Sequence, residues 1–427
     1  MRARYVAAAF LAVALSIAAS TASGGVAVRS ATTITVWLQD DAKNGWPDAV
    51  AAATSAFQAK HPGVNVDVQY QQWTTHLTKL DAALAGGNAP DVVEMGNSET
   101  AKYMAAGAFA RLQAKSFPNS KTWLGALKNS CTFGGKLYCA PYYAGARAVI
   151  YRKDYYRAAG IKGTPTTLAA FIADGRKLMK KYGSDPDFSA FYFPGKNWYA
   201  SMQFVYDYGG QIAVQKNGKW KGTLNSPQAI TALTKLKAIV RSFSRASLTT
   251  DEAHPYPSIP FAKGKVASFV GNGWEWPYTL DPKVGNPSLA GVMGAYPMPS
   301  HIKGRYMPTF VGGSDLAVPV TSKTKTLAID WIAAFTSTSS ERVIAKAGNI
   351  PNATSLVGLT TDNPKLAPFA KAAKFNWFVP ISPNWVNVEN ANVLQDMCSQ
   401  IFSGRKSVKA ATTSASNTIT RILNTGA

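Results

Sequence analysis

The residues best equipped for chemistry in this sequence stand in short turns, where tryptophan or tyrosine sits beside a carboxylate, an amide or an arginine. Gly271-Asn272-Gly273-Trp274-Glu275-Trp276-Pro277 is one such turn, Asn197-Trp198-Tyr199 a second, and Tyr142-Tyr143 with nearby Arg147 a third. Asp40 and Asp41 follow one apolar run, Asn97 and Ser98 follow another, and Trp73 and Trp385 stand among polar neighbours. A flat aromatic ring suits an apolar C–H face, while short carboxylates, amides and arginine accept from and donate to hydroxyls. Together these types suit a small polyhydroxylated ligand such as a sugar.

Covalent chemistry has less support. Glu275 has the position of a glycosidase acid, but glycoside hydrolysis needs a second carboxylate at a set distance and no local partner presents itself. No Ser/His/Asp set is visible. With four histidines, no CxxC and no HExxH, neither a metal site nor a cofactor is expected. The expectation is a binding protein and not an enzyme.

Cys131 and Cys139 flank Thr-Phe-Gly-Gly-Lys-Leu-Tyr, which reads as two short strands around a glycine turn. A three-residue loop at 134–136 would pair Phe133 with Leu137 and Thr132 with Tyr138, placing the cysteines opposite each other for a disulfide. Cys398 remains as a small buried side chain.

The elements that must position these residues follow from periodicity. Thr33 to Leu38 alternates as a strand, Pro47 opens a helix with Val50, Ala53 and Phe57 on one face, and Val64, Val66 and Val68 alternate again. A helix carrying Leu77, Leu80 and Leu84 leads to the strand Pro90 to Met95. That strand–helix order implies a parallel sheet covered by helices, with ligands at the loops beyond the strands' carboxyl ends. Those loops hold Asp40, Asp41, Trp73, Asn97 and Ser98. A second block, from about 145 to 297, has its own helices at 168–181 and 227–243.

Arg2 and Arg4, the apolar run Val6 to Ala19 and the small residues that follow read as a secretory signal peptide over residues 1–22. Its removal leaves about 405 residues, enough for two domains. The expected location is extracellular or at the cell envelope. The formal charge of +22 comes from 45 basic and 23 acidic residues. Such an excess favours anionic surroundings and could attract an acidic ligand, but the basic residues are spread along the chain, which argues against nucleic acid.

Read in order, Ile34-Thr35-Val36-Trp37, Gly86-Gly87-Asn88-Ala89-Pro90-Asp91-Val92-Val93, Pro141 to Arg147, Tyr151-Arg152-Lys153-Asp154, Trp274-Glu275-Trp276 and Gly348-Asn349-Ile350-Pro351 resemble the bacterial extracellular solute-binding proteins that include the maltose-binding protein. The resemblance covers nearly the whole mature chain. It implies an α/β, two-lobed periplasmic-binding-protein-like fold of type II, each lobe a mainly parallel sheet flanked by helices. Lobe 1 is expected at 31–143 and 308–362, lobe 2 at 144–307 and 363–427. It also implies a monomer that captures a mono- or oligosaccharide by lobe closure and delivers it to the permease subunits of an ABC importer. Two alternatives are an anionic solute, such as a sugar phosphate or uronide, and a secreted glycan hydrolase. Many Gram-positive members carry a lipidated cysteine, and none stands near the expected cleavage region here.

On this resemblance, Trp274 matches a pyranose-stacking position, Asp40, Asp41, Asn97 and Ser98 match polar contacts of the first lobe, and Trp198 and Tyr199 match cleft positions of the second. Tyr142, Tyr143 and Arg147 fall at the first crossing between lobes. Each has a structural alternative: Trp274, Trp276, Trp73 and Trp385 as core, Asn97 as turn chemistry, the aspartates as helix-start residues, and Arg147 as the partner of a structural carboxylate.

Overall fold

The structure, a computed structural model, describes residues 32–425. The signal peptide expected at 1–22 lies outside them. Ile34, Val36 and Leu38 are fully buried on one face of the strand Thr33–Gln39, as its alternation demands. This strand pairs in parallel with Asn65–Gln71 on one side and Val92–Gly96 on the other. The helix Pro47–Lys60 starts with proline in its first turn and buries Val50, Ala53 and Phe57 against the sheet.

Two lobes are built around separate sheets. The larger has six strands in the order Ile350–Pro351, Cys139–Gly145, Gly312–Ala317, Val92–Gly96, Thr33–Gln39, Asn65–Gln71. The smaller sets Arg147–Arg152 between Ser268–Asn272 and Met293–Tyr296. Only Ala146 separates a strand of one sheet from a strand of the other, so the chain crosses between lobes within a single residue there. The core of the second lobe is completed by the carboxyl-terminal helices Val393–Ser403 and Val408–Thr425, whose Met397, Ile401, Ile419 and Ile422 pack with Phe204, Leu233 and Leu236.

Strand direction departs from the sequence reading in the second lobe, where both pairings of Arg147–Arg152 are antiparallel. Gly312–Ala317 likewise runs antiparallel to both of its neighbours in the first lobe. A short buried apolar run looks the same in either direction; direction is set by where each connection returns to the sheet.

The hairpin at the cysteines also differs in register. Thr132 pairs with Leu137 and Phe133 with Lys136, so the loop is the two residues Gly134 and Gly135. Both have positive φ, at 54° and 72°, as a tight two-residue hairpin turn requires. Cys131 therefore stands opposite Tyr138, whose N–H donates to its carbonyl, and the disulfide to Cys139 runs diagonally across a Cα–Cα distance of 4.8 Å.

Candidate ligand-binding site

The carboxyl ends of Thr33–Gln39 and Val92–Gly96 lie side by side and deliver their following residues to the same edge of the first lobe. Gln39 leads into the short helix Asp40–Gly45, and the Asp41 carboxylate accepts a hydrogen bond from Trp73 Nε1 at 2.8 Å. Burial raises the Asp41 pKa, and Asp40 adds to the rise; hydrogen bonds from Trp73 and from Tyr256 of the second lobe act against it. Trp73 stays 36% exposed and meets His76 edge-on, with ring centroids 5.1 Å apart.

His76 faces acceptors at both ring nitrogens, Trp73 O from Nδ1 at 2.8 Å and Glu99 Oε2 from Nε2 at 2.9 Å. Burial alone would lower its pKa, but the Glu99 carboxylate and the Trp73 carbonyl raise it overall. Glu99 also accepts from the Gly96 N–H at 2.8 Å. Glu94, in the middle of its strand, has Oε2 on the Gln39 N–H at 2.8 Å, and burial pushes its pKa up to about 7.

The second lobe contributes Arg147, Tyr199, Glu252, Tyr256 and Trp274. The Arg147 guanidinium lies over the Tyr199 ring at 4.2 Å and donates to Glu252 at 3.4 Å. Tyr199 stacks against both Trp198 and Phe310, with centroids 4.0 and 5.0 Å away. Trp274 is half-buried, meets Tyr256 edge-on at 4.9 Å and packs against the apolar cluster of the first lobe. Across the junction, Ser98 Oγ donates to Glu389 at 3.4 Å, and burial together with the neighbouring Glu99 charge raises Glu389 to about 8. Gly273 and Gly348, one from each lobe, approach so closely that a Cβ on either would collide with backbone of the other. The glycine before Trp274 thus permits backbone contact between the lobes.

The structure brings together Asp41, Trp73, Ser98, Tyr143, Arg147, Tyr199 and Trp274 of the expected set, with Asp40 one residue from Asp41. It places others elsewhere. Tyr142 is the extra residue of a bulge opposite Ser314/Asp315, which turns it to the same side as Tyr143 and into the core, where its hydroxyl accepts from Trp46 Nε1. Asn197 caps the helix Trp198–Asp207 by accepting from the Ala200 N–H at 3.0 Å. Trp198 and Trp385 are buried together in the core of the second lobe. Trp276 is buried beside Phe269 and Ile150, because the helix Glu275–Thr279 turns it away from Trp274. Glu275 is occupied at both oxygens, by the N–H groups of Asn272 and Ser258. Asn97 is buried, with its amide donating to Asp315 Oδ1 at 2.8 Å, so its donors serve the first lobe's interior while its Oδ1 is left over.

His76, Glu94, Glu99, Glu252, Tyr256 and Glu389 were not expected. For Glu94 a signal exists, a lone carboxylate inside Val92-Val93-Glu94-Met95. For His76 and Glu99, 23 residues apart, there is none.

Asp315 lies beneath this edge, fully buried, and burial raises it to about 8 against the hydrogen bonds from Ser130, Asn97 and Thr100. The native state therefore holds a proton that the unfolded chain releases near pH ~4. The stability from this group is full below that pH and is lost as pH rises through about 8. Urea melts of Asp315→Asn and the unmodified protein should show the balance shifting toward the variant between about pH 5 and about pH 9. A gap that stays constant with pH would contradict the buried, protonated carboxyl.

Two α/β lobes that meet through polar and aromatic groups presented from both sides have the architecture of a protein that holds a small solute between them. The chain belongs to the bacterial extracellular solute-binding protein family, whose family model matches residues 39–342. DasA of Streptomyces coelicolor, a diacetylchitobiose binding protein, is 32% identical over 381 residues, covering 89% of this chain and 87% of the relative. A lactose-binding protein of Rhizobium radiobacter is 25% identical over 70% of this chain and 69% of its own length. Among solved structures, a solute-binding protein of Thermotoga lettingae bound to α-D-tagatose and the GacH receptor of Streptomyces glaucescens, in complex with acarbose, each superpose with a TM-score of 0.80 at 20% identity. They cover 92% of this chain and 100% and 99% of their own.

Proposed function

We propose that this protein is the extracytoplasmic carbohydrate-binding component of an ABC importer, which closes on a short, amino-sugar-containing oligosaccharide and passes it to membrane permease subunits. The observation that carries this reading is the meeting of both lobes at Asp41, which accepts from Trp73 of the first lobe and lies beside Tyr256 of the second, with Trp274 edge-on to Tyr256. Aromatic rings beside a carboxylate acceptor suit a sugar's C–H face and its hydroxyls. The relative that binds diacetylchitobiose supports the amino-sugar class. Lobe 1 comprises 31–143 and 308–362 and lobe 2 comprises 144–307 and 363–427. The protein acts as a monomer outside the cytoplasm, and among the described residues no helix is long and apolar enough to cross a membrane.

Titration calorimetry against a panel of neutral, acetylated and amine-bearing mono- and disaccharides tests the reading. One-to-one binding of at least one member, with a raised melting temperature and no product formed, is expected. No heat and no thermal shift with any member would overturn it, and so would steady turnover of a bound glycan.

A further inference from the structure

The chain carries a large positive charge, yet the cleft is acidic. Asp41, Glu94 and Glu99 from the first lobe and Glu252 and Glu389 from the second stand near it. The cations beside them, His76 and Arg147, are already engaged: His76 by Trp73 O and Glu99, Arg147 by Glu252 and the Tyr199 ring.

Three acceptors, and one hydroxyl, that of Ser314, are left over at this edge. Glu94 is only 1% exposed, and its Oε1 makes no hydrogen bond of ordinary geometry even to the nearby Ser314 hydroxyl. Its charged neighbours are Asp41 and His76. Asn97, 9% exposed, leaves Oδ1 without a partner, and so does buried Gln39 at Oε1. A buried acceptor without a donor is costly, so these atoms call for a ligand rich in N–H or O–H groups.

Resting on the carbohydrate reading above, we infer that the cleft selects a disaccharide bearing a free, protonated amine over its N-acetylated and uronic counterparts. An ammonium brings three donors and a positive charge to a site of unpaired acceptors and carboxylates. An acetamido group brings a single N–H and a carbonyl that needs a donor, and Arg147 and His76 are committed elsewhere. A uronic carboxylate would bring a further acceptor, and no donor, to a site already lined by five carboxyl groups.

The test is titration calorimetry of the mature chain at mildly acidic pH with the β-1,4-linked glucosamine disaccharide, its N,N′-diacetyl form and a uronic-acid disaccharide. The free-amine form should bind at least about tenfold more tightly than the diacetyl form, and the uronide should give no measurable binding. Asp41→Asn should narrow the preference, and Glu252→Gln, which also frees Arg147, provides a second arm should that variant fail to fold. Equal or tighter binding of the diacetyl form overturns the inference while the carbohydrate reading stands. A preference unchanged in both variants also overturns it. Absence of binding by every glycan overturns both.

Discussion

Replacing Trp274 by alanine is expected to weaken ligand binding by about 1.5 to 3 kcal/mol, the range for losing the contacts of a large apolar side chain. That is roughly tenfold or more in Kd. The expectation rests on where the side chain lies: half-buried at the meeting of the lobes, edge-on to Tyr256, and touching the first lobe although its backbone belongs to the second. A partly solvated side chain at a lobe boundary leaves no closed cavity when it is removed, so the melting temperature of the ligand-free protein should move little. Calorimetric titration and a melting curve of the same variant separate the outcomes. Unchanged affinity with a large fall in melting temperature would make Trp274 a core residue and leave Trp73 as the stacking surface.

Trp385→Ala should do the reverse. Its side chain is fully buried against Trp198 and the helices of the second lobe, and deleting a buried tryptophan costs about 3 to 5 kcal/mol through lost contacts and the cavity left behind. For a lobe of this size that is a fall of roughly ten degrees in the melting temperature of the transition it controls. Two lobes need not melt together, so calorimetry should resolve the earlier transition. Weakened binding with unchanged melting would instead return Trp385 to the cleft.

These two tryptophans show how far the sequence could be read. Both stand beside polar residues in turns or at helix starts, and both fit a ligand platform by type. Trp385 opens the helix Trp385–Asn390, whose inner face closes the second lobe, while Trp274 ends a glycine turn pressed against the other lobe. The difference lies in which element each turn packs upon, and local composition does not carry that. Tyr142 and Tyr143 make the same point: adjacent strand residues should face opposite ways, but the bulge turns both toward Trp46.

The sequence by itself determined the elements of the first lobe, because the alternation of Ile34, Val36 and Leu38 and the helical spacing of Val50, Ala53 and Phe57 report burial directly. It also determined that Asp41, Asn97 and Ser98 follow strands, since an element's end is a local property. Tertiary structure alone decided strand direction in the second lobe, the register of the cysteine hairpin, and the meeting of His76 with Glu99 and of Ser98 with Glu389. Those contacts join residues 23 and 291 positions apart. Periodicity records only whether a side chain is buried, whereas the partner it meets depends on how separate elements dock, and that is set by the packing of both lobes together.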